Sequence, residues 1–190
     1  AWKDTSLRLP ARRTADGVCH VRPAGVSDDA GQPALVLLLK MRCIEPGAPA
    51  QPTGAGDASD WVKRWTHLAR PGGKVLDVAC GRGRHMAWFA ALGFHTTGID
   101  RASDALQMAS QHGDCIQADI ENTPWPLMHL GRPLQFDVVV VTNYLWRALL
   151  PVVQQSLAPE GLLLYETFAV GNETVGKPSR ADFLLQPGEL

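Results

Sequence analysis

Acidic side chains close three predicted strands of this sequence, and a glycine-rich turn follows the first of them. Asp77 lies near the end of an apolar run that leads into a turn with Gly81 and Gly83. Asp100 and Asp119 close the next two predicted strands. Carboxylates at strand ends can accept hydrogen bonds from ribose hydroxyls, and glycines let a backbone approach a ligand closely. The spacing therefore favours a nucleoside-bearing ligand.

The residues around the glycine turn distinguish between kinds of nucleoside ligand. A dinucleotide fingerprint requires a third small residue, and that position is Met86 here. A bulky side chain would hinder the close packing of helix on strand that a pyrophosphate site uses. Asp77 also places negative charge near the turn, which disfavours phosphates and suits an ammonium or sulfonium group. The sequence favours a cationic, phosphate-free ligand, with a nicotinamide-dependent oxidoreductase as a weaker alternative.

The elements that position these residues alternate between strand and helix. The run Val138–Val141 is apolar at every position, which is typical of a parallel strand buried on both faces. We predict an α/β fold with a doubly wound, mostly parallel Rossmann-like sheet in strand order 3-2-1-4-5. The five strands are predicted over residues 74–78, 95–99, 115–118, 136–142 and 162–168.

The sequence resembles the class I S-adenosylmethionine-dependent methyltransferases over about residues 59–170. Ala79 stands where the family usually has the first glycine of its first motif. Among subfamilies, the chain is most similar to small bacterial methyltransferases of the tellurite-resistance type. The matching segments are Asp77-x-Ala79-x-Gly81-x-Gly83, Gly98-Ile99-Asp100, Ala118-Asp119-Ile120, Phe136–Asn143 and Leu157–Leu163.

This resemblance implies S-adenosyl-L-methionine as the cofactor and methyl transfer to a small-molecule acceptor, such as a thiol or a chalcogen oxyanion. Because the sulfonium is already activated, the protein mainly aligns the reactants and excludes water, and no catalytic residue is predicted. The expected cofactor-binding residues are Asp77, Ala79, Gly81, Gly83, Asp100, Arg101, Asp119, Ile120, Thr142 and Asn143.

Three further residues are candidates for the acceptor pocket. Tyr144 follows the fourth strand. Arg147 could hold an anionic acceptor or lie solvated at a helix start. Trp125 could line the acceptor pocket or anchor a loop onto the core.

The composition limits the classes of partner. The 190 residues are 45% hydrophobic and 19% charged, with a net charge of −1. These are globular values without an electrostatic footprint for nucleic acid or an anionic membrane. No apolar run approaches the roughly 20 residues of a membrane-spanning helix. The four cysteines lack metal-ligand spacing, so we predict no metal site and a cytoplasmic protein; the sequence does not indicate its oligomeric state.

The chain divides into two unequal parts. Residues 1–57 are rich in proline and glycine and are predicted to be disordered or irregular, with a small lid domain as the alternative. Residues 58–190 are predicted to be the S-adenosylmethionine-binding methyltransferase domain. The residues after Phe168 do not resemble a helix and two strands. We therefore expect a C-terminally truncated domain that lacks strands 6 and 7 and exposes strand five as an edge. This leaves a non-catalytic cofactor-binding fragment as an alternative function.

Overall fold

Ten strands and four α-helices are present in the computed structural model, which describes residues 11–13, 19–21, 36–42, 56–174, 176–186 and 189. The strands are β1 (Ala11–Arg13), β2 (Cys19–Val21), β3 (Val36–Arg42), β4 (Lys74–Val78), β5 (His95–Asp100), β6 (Asp114–Gln117), β7 (Met128–His129), β8 (Arg132–Pro133), β9 (Phe136–Thr142) and β10 (Leu157–Phe168). The helices are α1 (Asp60–Trp65), α2 (Arg84–Ala91), α3 (Ser103–Ala109) and α4 (Leu150–Gln155).

Local sequence signals explain where the helices begin. Ser59 caps α1, because its hydroxyl accepts a hydrogen bond from the Val62 N–H at 3.1 Å. Gly83 is the N-cap of α2, with a φ of 77°. Pro151 lies in the first turn of α4, where a backbone N–H would have no hydrogen-bond partner within the helix.

Eight of the strands form one sheet in the order β6-β5-β4-β9-β10-β3-β2-β1, and β7 and β8 form a separate hairpin. The pairs from β6 to β3 are parallel, whereas β3–β2 and β2–β1 are antiparallel. In the pairing of β3 with β10, Leu162 lies opposite Val36 and Phe168 lies opposite Arg42.

The predicted fold class was wrong about this edge of the sheet. The prediction described a domain without strands 6 and 7, in which strand five was an exposed edge. In the structure, strand five is part of β10, and the sheet continues beyond it through three further strands. Those strands come from the proline- and glycine-rich part of the chain. Hydrophobic patterning indicates that residues 34–41 can form a strand, but it cannot indicate which distant sheet edge that strand joins. The division of the chain at residue 57 stays a prediction.

The core lies on both faces of the central strand β9. Val138 and Val140 pack on one face with Trp61 of α1 and Phe89 of α2. Val139 and Val141 pack on the other face, together with Val153 of α4. Both faces are buried, so the strand ends are fixed relative to one another, and the carboxyl ends of β4, β5, β6 and β9 meet at one rim. Within the described residues, no helix is both long enough and apolar enough to cross a membrane.

Candidate active site

The turn between β4 and α2 contains residues with left-handed backbone conformations. Ala79 and Gly83 have φ values of 56° and 77°. A Cβ added to Gly83 would lie 2.8 Å from the Cα and Cβ of Ala109. Glycine at position 83 is therefore required both by its backbone angle and by the approach of α3.

Asp100 links this turn to the end of β5. One carboxylate oxygen, Oδ2, accepts a hydrogen bond from the Gly81 N–H at 2.8 Å, and Oδ1 accepts one from the Ala102 N–H at 2.9 Å. Each carboxylate oxygen can accept two hydrogen bonds, so the side chain keeps acceptor capacity for a ligand.

Asp119 is held in a similar way just beyond β6. Its Oδ2 accepts a hydrogen bond from the Asn122 side-chain amide at 2.9 Å, and its Oδ1 accepts one from the Glu121 N–H at 3.2 Å. The bond from Asn122 lowers the pKa of Asp119 below its ordinary value, with a smaller contribution from the Glu121 N–H. The carboxylate is therefore ionised at neutral pH.

These residues surround a cavity of about 260 Å³, which we call the smaller cavity. It includes five of the predicted cofactor-binding residues, and Tyr144 from the predicted acceptor pocket. Its lining comprises Ala79, Asp100, Arg101, Ala118, Asp119, Ile120, Glu121, Tyr144 and Phe183. Gly81 does not line the cavity but is joined to it through Asp100.

Asp77 is buried behind the turn and does not line the cavity. Its Oδ2 lies 3.6 Å from Nδ1 of His85, and both side chains are 2% exposed. The other ring nitrogen of His85, Nε2, faces the Ser59 N–H at 3.4 Å and acts as an acceptor there. Asp77 therefore contributes charge beneath the turn rather than direct contact.

A second cavity, the larger cavity, has a volume of about 480 Å³ and adjoins the end of β9. Tyr144 and Phe183 line both cavities. Of the remaining predicted cofactor residues, Asn143 lines the larger cavity, whereas Gly83 and Thr142 line neither. The lining comprises Asn143, Tyr144, Leu145, Phe168, Lys177, Pro178, Ser179, Arg180 and Phe183.

Tyr144 occupies the boundary between the two cavities as a neutral phenol. Burial raises the pKa of its hydroxyl above the ordinary value of 10, and the charge of Glu121 raises it further. The hydroxyl thus keeps its proton throughout the neutral pH range.

Arg147 lies outside both cavities, and its guanidinium is fully engaged. It forms an ion pair with Glu189 through Nε and Oε1, and a second bond joins Nη2 and Oε2 at 2.9 Å. It also donates to the carbonyl oxygens of Asp182 at 2.6 Å and Leu184 at 2.9 Å. The arginine therefore tethers residues 177–186, which we call the strap, instead of facing an acceptor.

Trp125 also lies outside both cavities. It packs against the core cluster that contains Ile120 and Leu127. The structure thus brings Tyr144 into the candidate site and separates it from Arg147 and Trp125.

Phe183 and Lys177 are among the lining residues that the sequence did not indicate. They reach the rim because the strap folds back onto β10, where the Leu185 N–H donates to Phe168 O at 2.9 Å. No local pattern around residue 183 signals this contact, because its partners lie in strands and loops far away in the sequence.

Residues 75–161 match the methyltransferase domain family. A ubiquinone biosynthesis O-methyltransferase of Paraburkholderia phytofirmans is 33% identical over 87 residues, which are 45% of this chain and 37% of that protein. The putative methyltransferase YqeM of Bacillus subtilis is 31% identical over 125 residues, covering 56% of this chain and 47% of YqeM. The chain thus spans less than half the length of these curated relatives.

Matches to solved structures cover about half of this chain. A TehB-like S-adenosylmethionine-dependent methyltransferase from Corynebacterium glutamicum has a TM-score of 0.45 and 20% identity, covering 53% of this chain and 58% of that one. The glycopeptide N-methyltransferase MtfA has a TM-score of 0.43 and 22% identity, covering 55% and 51%. The finer likeness to tellurite-resistance enzymes stays a prediction.

The family match begins in β4 and extends into β10, so it covers the glycine turn, Asp100 and Asp119. The motif resemblance seen in the sequence is confirmed over this range. Residues 75–161 are thus similar to methyltransferase domains, in agreement with the resemblance to S-adenosylmethionine-dependent methyltransferases seen in the sequence.

Proposed function

We propose that this chain transfers the methyl group of S-adenosylmethionine to a small-molecule acceptor. The observation that supports the proposal most strongly is that Asp100 and Asp119 lie in the lining of one cavity beside the glycine turn. In a parallel α/β sheet, the carboxyl ends of the strands are where nucleoside ligands bind.

The smaller cavity contains residues suited to the adenosine part of the cofactor. Asp100 has remaining acceptor capacity for the ribose hydroxyls, and Asp119 has remaining capacity for the adenine amino group. Ile120 offers an apolar surface for the adenine ring. The buried negative charge of Asp77 favours a positively charged amino-acid tail near the turn. No described feature favours the nicotinamide alternative, because fully buried Met86 fills the place of the third glycine.

Thr142 and Asn143 complete the proposed cofactor site at the end of β9. In the methyltransferase family that the sequence resembles, this strand end lies beside the methionine part of the cofactor. Bound S-adenosylmethionine supplies a methyl group on a positively charged sulfur, which needs no further activation. Tyr144 and Phe183 line both cavities and so mark the boundary between them.

The chain has no described side chain that we propose as a general base. The raised pKa of Tyr144 keeps its phenol protonated, so this hydroxyl does not accept a proton near neutral pH. An acceptor that ionises readily in water suits such a site, and the sequence-based candidates were a thiol and a chalcogen oxyanion. One of the curated relatives is an O-methyltransferase by name, which adds an oxygen nucleophile to the candidates.

The proposed partners are limited to small molecules. The net charge of −1 supports the absence of a nucleic-acid or membrane partner. Among the residues that the structure describes, no group of three metal-ligating side chains is present, and the proposal requires no metal. A cytoplasmic location is part of the same proposal.

Methyl transfer can be tested directly with S-adenosylmethionine that carries a labelled methyl group. We expect time-dependent transfer to at least one member of a panel of thiols, phenols, tellurite and selenite. Asp119→Asn should raise the KM for the cofactor about tenfold with little change in kcat, because it removes charge from the adenine end alone. Cofactor binding without turnover on any acceptor would instead support the non-catalytic fragment.

A further inference from the structure

The walls of the larger cavity are mainly aromatic and aliphatic. Phe168, Phe183 and the ring of Tyr144 contribute to them, together with Leu145 and Pro178. The volume of about 480 Å³ lies within the range of cavities that bind small molecules. Walls of this kind stabilise a flat apolar ring through burial and ring–ring contact.

The orientation of Phe183 is supported by its neighbours. Trp146 packs beside it, with the ring centroids 6.5 Å apart and an angle of 33° between the planes. The Arg180 guanidinium lies over the same ring, 5.1 Å from its centroid. Phe183 thus contacts two neighbouring side chains that help to fix its orientation as a wall of the cavity.

The lining of the larger cavity contains two cationic side chains and no acidic one. None of its nine lining residues is Asp or Glu, whereas Lys177 and Arg180 are both among them. Arg180 is paired with Asp182 at 2.8 Å. In the part of the chain that the structure describes, Lys177 makes no ion pair within 4 Å. Lys177 is therefore a charge available to an anionic ligand.

The larger cavity adjoins the proposed cofactor site, because Tyr144 and Phe183 line both cavities. A ligand that reaches from Lys177 to these two rings therefore meets the boundary where methyl transfer would occur. The lining of one cavity thus combines a cationic side chain, apolar rings and a boundary with the cofactor site.

We propose that the acceptor is an aromatic acid, with a carboxylate near Lys177 and a ring hydroxyl or thiol at the boundary with the smaller cavity. This inference rests on the proposed methyltransferase function. The acceptor's oxygen or sulfur forms a bond to the methyl carbon, and the bond between methyl and sulfonium sulfur breaks, with its electron pair remaining on that sulfur. The proton of the hydroxyl or thiol passes to water.

A bare chalcogen oxyanion suits this cavity less well. Such an ion is small and strongly hydrated, and apolar walls would remove its water without replacing the hydrogen bonds. A neutral ring would fill the apolar middle but would gain nothing from Lys177. The aromatic acid uses both features.

The experiment compares matched pairs of ligands on the chain saturated with S-adenosylhomocysteine. Calorimetric titrations with 3,4-dihydroxybenzoate and 1,2-dihydroxybenzene, and with 4-sulfanylbenzoate and benzenethiol, give the Kd of each acid and its neutral partner. We expect at least one acid to bind about tenfold more tightly than its partner. Lys177→Gln should remove this advantage and leave the Kd of the neutral ring unchanged.

Lys74→Gln is the matched control. Lys74 is exposed at the amino end of β4, at the opposite rim of the sheet, so its loss should leave all four Kd values within about twofold. An unchanged Kd for S-adenosylhomocysteine in Lys177→Gln would show that the variant is folded.

Three results would overturn the inference: neutral rings that bind as tightly as their acids, no ring binding to the saturated chain, or an acid preference that survives Lys177→Gln. Failure of S-adenosylhomocysteine to bind would instead overturn the proposed function and, with it, the inference. Binding of S-adenosylhomocysteine without an acid preference would overturn the aromatic-acid inference alone.

Discussion

Two residues that carry side chains adopt left-handed backbone conformations beside the candidate site. Ala79 and Asn143 both have a φ of 56°, at the ends of β4 and β9. For a residue with a Cβ, this conformation costs about 1–2 kcal/mol. The surrounding sheet therefore holds strained backbone at the rim where the proposed cofactor binds, which is a common feature of functional sites.

Two glycines with nearly equal φ values allow steric crowding to be measured separately from backbone strain. Gly83 has a φ of 77° and Gly131 a φ of 76°. Gly131→Ala should cost about 1–2 kcal/mol of stability from the backbone alone, because its added Cβ meets nothing within 4 Å. Gly83→Ala should cost about 1–3 kcal/mol more, because its Cβ would collide with Ala109.

Urea unfolding of the two glycine variants and the unchanged chain measures this difference. Equal losses of stability would contradict the close packing of the glycine turn against α3.

The strap is the element that completes both cavities. It returns along β10 through hydrogen bonds between Val170 N–H and Leu185 O at 3.0 Å and between Leu185 N–H and Phe168 O at 2.9 Å. Arg147 tethers it through the carbonyl oxygens of Asp182 and Leu184. Because Phe183 lies between those two carbonyls in sequence, this tether fixes the wall that the two cavities share.

The ion pair of Glu189 with Arg147 should make the stability of this region depend on pH. Burial opposes ionisation of Glu189, but hydrogen bonds from Arg147 and the Gln186 N–H lower its pKa below the ordinary 4.5. A lowered pKa in the folded state stabilises the fold above pH 4.5, and this contribution disappears as the pH falls through the lowered value. Glu189→Gln should therefore reduce stability at pH 7 and have little effect once the pH lies below the lowered pKa of Glu189.

The expected loss at pH 7 is about 1 kcal/mol, because both partners are partly exposed to solvent, or about 2–4 °C in Tm. Thermal unfolding of the unchanged chain and Glu189→Gln between pH 3 and pH 8 gives the comparison. Glu160→Gln, at an exposed position, is the control and should not change Tm. A Tm difference that is the same at every pH would contradict the ion-pair account.

The sequence predicted elements better than it predicted contacts between them. The strands β4 and β9 were predicted because the signal for each strand lies within its own residues. Arg147 was interpreted either as holding an anionic acceptor or as lying solvated at a helix start. Neither interpretation included its partner, Glu189, which lies 42 residues away and leaves no local pattern. Lys177 and Phe183 were missed for the same reason, since the return of the strap depends on tertiary pairing.

At the scale of the whole molecule, the N-terminal strands complete the sheet. β3 runs parallel to β10 from Leu162 to Phe168, on the side where the predicted fold left an edge. The hydrophobic pattern of residues 34–41 is compatible with a strand. The pattern does not indicate which strand it pairs with, because that partner lies far away in the sequence. The backbone of β10 is consequently hydrogen-bonded on both sides.

Removal of residues 1–55 should expose this side of β10. An unpaired apolar strand edge pairs readily with other chains, so the 56–190 fragment should self-associate at tens of micromolar. Sedimentation velocity of the fragment and the full chain at equal concentration measures the difference. A fragment that sediments as a folded monomer would show that the N-terminal strands are dispensable and would support the predicted division of the chain near residue 57.

The central claim is that the carboxylates at one rim of the sheet bind the nucleoside of S-adenosylmethionine, and calorimetric titration with S-adenosylhomocysteine tests it most directly. We expect one site per chain, and Asp100→Ala should weaken binding about thirtyfold, because hydrogen bonds to a charged group contribute about 2 kcal/mol. Asp119→Ala, which leaves the glycine turn untouched, should also weaken binding. The exposed Asp104→Ala is the control and should bind within about twofold of the unchanged chain. Binding that is unaffected by the loss of both Asp100 and Asp119 would contradict the account.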